Sequence, residues 1–201
     1  MKSLFNASPV SGHLGLAALW LTVAVFVGVA FSSCRQSPVM HVYSVSDPSE
    51  EKLLRTPCED FTPRELRSRR VARLAERMIA TVTDSTQNGV GIAAPQVGVS
   101  KRLIVVCRLD MEGEPFIPYI NARIDSCFGG IVVGPEGCLS IPDLRGNVPR
   151  YESIVVSYWD PDTGERRSET VSGYTARIFQ HETDHLEGIL YTDRTSDIYP
   201  E

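Results

Sequence analysis

Two histidines and a glutamate near the end of the chain have the residue types and the spacing of a metal site. They are His181, Glu182 and His185, within QHETDHLEG at residues 180–188. Side chains four residues apart lie one above the other on a helix, so both imidazoles can bind one ion. Glu182 lies slightly off that line, where it can contact water on the ion and act as a general base. Surface or helix-capping histidines are the alternative for so short a motif.

The third ligand of such a site must lie upstream. Only 16 residues follow His185, and Tyr191 stands where a metzincin carries its third histidine. Cys138, in EGCLS, is the best candidate, because a thiolate binds divalent transition metals and Gly137 lets the backbone approach closely. The other cysteines of this part of the chain lack that setting: Cys58, Cys107 and Cys127.

The histidines are predicted to lie on a helix over residues 173–188, GYTARIFQHETDHLEG. Ile178, His181 and His185 share one face of it at helical spacing. Gly188 is a natural stop, because glycine is common just beyond a helix end.

An earlier helix is predicted from Pro63 onwards. Thr62 can cap it, Pro63 suits its first position and Glu65 completes a capping box. Apolar residues then recur at helical spacing on one core face: Val71, Leu74, Ala75, Met78, Ile79 and Val82. The basic residues between them are interpreted as the solvated face of the helix.

The middle of the chain combines a glycine-rich loop with β-strands. The loop, residues 84–100, precedes a strand and lacks GK[ST], which excludes a phosphate-binding loop. Strands are predicted at residues 101–107, 117–124, 131–133, 153–159 and 165–171. Because strands precede a late helix and do not alternate with helices, we expect an α+β fold. It should have mainly antiparallel sheets packed around the C-terminal HExxH helix.

Composition suits one globular domain. The chain has 201 residues, of which 42% are hydrophobic and 22% charged. The net charge of −5 gives no indication of a nucleic-acid partner. Five cysteines without CxxC spacing favour reduced thiols over a disulfide framework.

The first 39 residues form a separate segment in this interpretation, and residues 40–201 form the catalytic domain. The segment contains an uncharged apolar stretch, residues 14–31, just long enough to span a membrane. The stretch is followed by Cys34, as in a secretory signal before a lipidated cysteine. Three interpretations stay open: an exported or membrane-anchored protein, a misassigned start upstream of Met40, and a buried core helix.

Three motifs, taken in order, resemble those of the peptide deformylase family. They are GVGIAAPQ at residues 89–96, EGCLS at residues 136–140 and QHETDHL at residues 180–186. The resemblance extends over roughly residues 40–195. One motif alone would be weak, whereas three in the same order and at the same separations leave little room for chance.

The resemblance implies that Cys138, His181 and His185 bind one divalent metal ion, with water as the fourth ligand. Fe²⁺ would be the physiological ion, and Zn²⁺ or Ni²⁺ could replace it. We expect Asp184 to orient the site and not to bind the ion, accepting a hydrogen bond from a residue such as Arg150. An ordinary surface charge is the alternative for Arg150.

The resemblance also implies roles around the reacting carbonyl. Glu182 would be the general acid and base, and Gln96 with the backbone N–H of Leu139 would hold the developing oxyanion. A loop glutamine bonded to its own turn is the alternative for Gln96. Gly89 and Gly91 would let the loop backbone run beside a peptide substrate, as in strand addition, and turn geometry alone is the alternative for them.

The implied activity is hydrolysis of the N-formyl group from the N-terminal methionine of new polypeptides, which releases formate. The ribosome is a further implied partner, and the implied location is the cytoplasm. Residues 14–34 give the alternative of a membrane-anchored protein or lipoprotein. Two other functions stay open: a zincin-like peptidase, whose downstream ligand is missing, and a lipid-anchored surface protein that keeps the fold for binding.

Overall fold

The computed structural model describes residues 39–87, 89–161 and 163–201. The apolar stretch at residues 14–31 and Cys34 lie outside these ranges, so the division of the chain at residue 40 stays a prediction. Within the described ranges, no helix is both long and apolar enough to cross a membrane.

Six strands in the described part of the chain form one antiparallel sheet. They are β1 (Gly91–Ala93), β2 (Leu103–Cys107), β3 (Phe116–Cys138), β4 (Ile141–Asp160), β5 (Glu165–Ser172) and β6 (Ile198–Pro200). The order is β1-β2-β3-β4-β5, and β6 pairs with β4. Strand β1 is therefore an edge strand, and the predicted α+β class with mainly antiparallel sheet is confirmed.

Strands β3 and β4 form a hairpin much longer than the predicted segments. The predicted strands at 117–124 and 131–133 are parts of β3, and the one at 153–159 is the end of β4. Gly129 and Gly130 separate the two segments in the sequence, but both have positive φ and lie in a register shift. Such a bulge adds residues to one strand without ending its pairing with the other. The predicted boundaries between the two segments of β3 were therefore wrong.

The helix predicted from Pro63 is two helices, α2 (Pro63–Leu66) and α3 (Arg69–Val82), which follow α1 (Pro48–Leu54). The capping box is present: the Thr62 side chain accepts from the Glu65 N–H, and Glu65 accepts from the Thr62 N–H at 2.7 Å. Ser68 has extended backbone angles and starts α3 anew, which breaks the predicted single helix. The predicted apolar face of α3 packs against β1 and β2.

The helix α4 (Gly173–Leu186) crosses the sheet and matches the predicted histidine helix within two residues at its end. Its residues from Thr175 to Leu186 are all buried, including both histidines. Gly188 follows it with φ +72°, and a Cβ there would lie 2.4 Å from the carbonyl oxygen of Arg55. A helix buried to this extent must pair most of its polar groups within the protein. Around the site below, α4 does so, except at Glu182 Oε2 and His185 Nδ1, which have no hydrogen-bond partner among the described residues.

Candidate active site

Three candidate metal ligands meet where α4 crosses the turn between β3 and β4. The Sγ atom of Cys138 and one ring nitrogen each of His181 and His185 lie within 4.8 Å of one another. Cys138 Sγ lies 3.3 Å from His185 Nε2. Within the described ranges, no side chain after His185 joins this group. The structure thus brings together the predicted upstream cysteine and both histidines.

The donor set fits a divalent transition metal. One thiolate and two imidazoles are ligands that such ions prefer, and three protein ligands leave a position open, as in catalytic sites. Burial is the main factor lowering the pKa of His185, which keeps it neutral as a ligand must be. Burial also opposes protonation of His181, but hydrogen bonds with Cys138 and Glu136 raise its pKa.

A register shift places the cysteine. Cys138 pairs with Ile141 across the β3–β4 turn, and the pairing shifts between Gly137 and Cys138. A second contact holds the turn in place. The Val45 N–H donates a hydrogen bond to the carbonyl of the buried Ser140 at 3.0 Å. The bulge turns the thiol towards α4.

Gln96 is held by its own turn and faces the cysteine at the same time. Its side-chain oxygen accepts from the Ala93 N–H at 2.8 Å. Its Nε2 then donates to Ser140 Oγ at 3.2 Å and lies 3.5 Å from Cys138 Sγ. The bond of Gln96 to its own turn is thus present, and it aims the amide N–H at the site. Its role towards an oxyanion stays a prediction.

Glu182 lies against the backbone of Gly91. A Cβ at Gly91 would be 2.5 Å from Glu182 Oε1, so only glycine allows this approach. The side chain is buried, and its Oε2 has no hydrogen-bond partner among the described residues. Burial raises the pKa of Glu182 to about 7, against the opposing attraction of His181. A carboxyl group with such a pKa can both take and give a proton near neutral pH.

Gly89 packs differently from Gly91. A Cβ there would lie 2.7 Å from Val82 Cγ2 and 3.2 Å from Leu139 Cδ1. The absence of a side chain at Gly89 therefore serves the contact between the loop and the end of α3. Its predicted contact with a substrate backbone stays a prediction.

Glu136 connects the site to two buried arginines. Its Oε2 bonds His181 Nδ1 at 2.9 Å, and its carboxylate accepts two hydrogen bonds from Arg150, each at 2.9 Å. Arg177 donates to Glu136 Oε1 at 2.9 Å. Burial alone would raise the pKa of Glu136, but the bonds with His181 and Arg150 outweigh it and lower the pKa to about 2. Glu136 thus stays charged and fixes the orientation of the His181 ring.

Asp184 orients this network, as predicted. Arg150 donates to Asp184 Oδ2 at 2.5 Å, and Arg194 donates to both Asp184 oxygens. Arg150 is only 5% exposed, so the surface alternative for it was wrong.

A cavity of about 250 Å³ opens beside the ligand group. All the predicted site residues except His185 line it: Gly89, Gly91, Gln96, Cys138, Leu139, His181 and Glu182. Three further residues line it that the sequence analysis did not assign to the site: Arg177, Tyr174 and Glu201. The sequence contains little indication of a role for them. Arg177, for example, was recognisable only as a charged residue one helical turn before His181.

The sequence pattern of the family described as polypeptide deformylase matches residues 39–201. The chain belongs to the polypeptide deformylase family. Peptide deformylase from Roseiflexus castenholzii is 35% identical over 171 residues, which are 79% of this chain and 89% of that one. Peptide deformylase from Symbiobacterium thermophilum is 54% identical over 112 residues, 56% of this chain and 50% of that one. The predicted family is therefore confirmed.

Solved structures agree with the fold. The actinonin-bound class I type b peptide deformylase from Acinetobacter baumannii is 38% identical, with a TM-score of 0.69 over 80% of this chain and all of that one. Peptide deformylase from Thermotoga maritima is 35% identical, with a TM-score of 0.68 over 79% of this chain and 99% of that one. Members of this family are metal-dependent hydrolases that remove the N-formyl group from nascent peptides. This chain, as a member, is such a hydrolase.

Proposed function

We propose that this chain deformylates the N-terminal methionine of new polypeptides with Cys138, His181 and His185 as metal ligands and Glu182 as the general acid and base. The observation that carries the proposal is the meeting of the three ligand atoms within 4.8 Å beside a buried glutamate. The products are formate and a free N-terminal amine.

The proposed ion is Fe²⁺, with Zn²⁺ or Ni²⁺ as substitutes. When bound, such an ion lowers the pKa of water and polarises the formyl oxygen. One thiolate and two neutral imidazoles leave the ion with one net positive charge. Such an ion activates water less than an ion bound by three neutral histidines. A nearby base must therefore contribute more to removing the proton of the water.

Glu182 is placed to be that base. Its Oε2 is the oxygen without a partner among the described residues, so it is free to accept the proton of the attacking water. The same oxygen then delivers the proton to the departing nitrogen, which leaves as an amine. The pKa of about 7 supports both steps, because neither protonation state is strongly favoured.

Gln96 and the backbone N–H of Leu139 are the proposed donors to the oxyanion. The bond from the Ala93 N–H supports this role for Gln96, because it fixes the amide before the substrate arrives. Donors aimed in advance at the developing charge need no reorganisation during the reaction. Loss of one such donor typically costs about 3–4 kcal/mol in the barrier.

The proposed path of the substrate runs along β1, past Gly89 and Gly91. Strand β1 is an edge strand of the sheet, which leaves backbone groups to pair with an extended peptide. We further propose that the enzyme meets its nascent substrates in the cytoplasm, near the ribosome, as the family resemblance implies. Anchoring of the domain at residues 40–201 through residues 14–34 is the alternative location.

The test uses the full chain loaded with Fe²⁺ under anaerobic conditions. Formate release from a formyl-methionyl peptide is expected, with no release of acetate from the acetylated peptide. Glu182→Ala should abolish turnover and keep the metal, whereas Cys138→Ser should lose most of the metal. Glu187→Ala, at the residue that directly follows α4 and is bonded to Arg102, is the matched control and should remain active. Wild-type turnover in Glu182→Ala would overturn the assignment of the base.

A further inference from the structure

Two opposite charges are paired at the mouth of the cavity. Glu201 Oε1 accepts from Arg145 Nε at 3.0 Å and also from Arg145 Nη2. The pairing of strands builds this contact, because β6 lies along Leu144, Arg145 and Gly146 of β4. The Glu201 N–H continues the pairing and donates to the Asp143 carbonyl at 3.0 Å.

Arg145 lies next to the proposed ligand group. It stands opposite Gly137 in the β3–β4 register, and Gly137 directly precedes Cys138. The side chain of Arg145 passes 3.8 Å from the place of a Cβ on Gly137. Arg145 and Glu201 line the same cavity as Glu182 and Gly91. A peptide whose formyl end lies at the ligand group would therefore share its cavity with this pair.

The pair differs from the other charges of the cavity in its exposure. Glu136, Arg177 and Glu182 are buried, and the first two neutralise each other directly. The side chains of Arg145 and Glu201 are 42% and 56% exposed. They are thus the charged groups of the cavity that a substrate side chain can approach from solvent.

We propose that Glu201 sets the charge preference of the enzyme for the residues that follow formyl-methionine, by neutralising Arg145 at the cavity mouth. The proposal rests on the proposed function. With both side chains charged the pair carries no net charge, and it favours neither acidic nor basic side chains. Without Glu201, Arg145 would attract acidic side chains and repel basic ones. Breadth towards many sequences is what an enzyme acting on nascent chains requires, and the ion pair supplies it.

The experiment compares three formyl-methionyl peptides that carry glutamate, alanine or lysine at the second and third positions. It uses the full metal-loaded chain at low salt and measures kcat/KM. In Glu201→Gln we expect the ratio of the acidic to the basic peptide to rise about fivefold, from one exposed charge at short range. The change should lie mainly in KM, and it should vanish at about 1 M salt, where the Debye length is about 3 Å. Glu112→Gln, on an exposed turn, is the matched control.

A double variant separates charge from structure. Arg145→Gln combined with Glu201→Gln makes the mouth neutral again, so the ratio should return to that of the wild type. An unchanged ratio in Glu201→Gln, or a ratio that the double variant fails to restore, overturns the proposal. Turnover of the alanine peptide by the wild type tests the proposed function separately. The affinities of the corresponding methionyl product peptides can be measured without turnover. They should follow the same order as the values of kcat/KM.

Discussion

At the scale of single residues, the site depends on a close approach between Glu182 and Gly91. The carboxylate is buried, and its Oε1 lies 2.5 Å from the place of a Cβ on residue 91. Its position and its raised pKa therefore have one cause, since the glycine lets the acid pack into the loop away from water. A residue with a side chain at position 91 would have to displace the acid.

Gly91→Ala should lower kcat about a hundredfold, because a displacement of about 1 Å at a catalytic group can cost that much. The metal content should stay unchanged, because no ligand atom moves. Steady-state kinetics with metal analysis checks both. Gly113→Ala is the control, since a Cβ there meets nothing within 4 Å although its φ is +75°. It should cost stability and leave kcat as it is; an equal loss of kcat in both variants would contradict the steric argument.

The sequence predicted some members of this site and not others. Spacing on a helix identified His181 and His185, and the motifs identified Cys138 and Gln96. Glu136 and Arg177 were not singled out, because burial in a shared network depends on how β3, β4 and α4 pack. The sequence alone does not distinguish a charged residue exposed to solvent from one buried against a metal ligand.

At the scale of elements, one guanidinium ties α4 to the β3–β4 hairpin. Arg177 donates to the Val132 carbonyl at 2.7 Å, to the Val148 carbonyl at 2.8 Å and to Glu136 at 2.9 Å. It thus contacts both strands of the hairpin one helical turn before His181. The helix itself was predictable from its periodicity, but the hairpin was not, because its bulges interrupt the alternation of apolar and polar residues.

Arg177→Met should destabilise the protein by about 3 kcal/mol, since it removes one partner of a buried ion pair and the donor to three backbone carbonyls. Metal should also be lost faster to a chelator, because Glu136 then holds His181 less firmly. Urea unfolding and the rate of metal loss measure the two effects. Arg167→Met removes an exposed arginine that contacts Asp160 and should change neither. Metal loss at the wild-type rate would show that Arg177 serves stability alone.

At the scale of the whole molecule, buried arginines join segments that are distant in the chain. Arg108, 4% exposed in its side chain, donates to Asp110 at 2.9 and 2.8 Å and to Glu169 on β5 at 2.8 Å. It also donates to the Tyr119 hydroxyl on β3 at 2.6 Å. The end of β2 is thereby tied to β3, its neighbour in the sheet, and to β5, which lies at the far end of the strand order. Because the bonds to Asp110 need an ionised carboxylate, the fold should weaken in acid.

The hydrogen bond from Arg108 is the main factor that lowers the pKa of Asp110 to about 2, from an ordinary value of 3.8. A depressed pKa means that the carboxylate stabilises the fold above about pH 4 and that this contribution is lost as the pH falls towards 2. Asp110→Asn should therefore lower the free energy of unfolding near neutral pH, by less than about 1 kcal/mol because the group is partly exposed. The difference from the wild type should shrink between pH 4 and pH 2. Urea unfolding at several pH values measures it. Asp197→Asn, whose carboxylate contacts Asn147, is the control, and a difference for Asp110→Asn that stays constant with pH would contradict the role of the Arg108 pair.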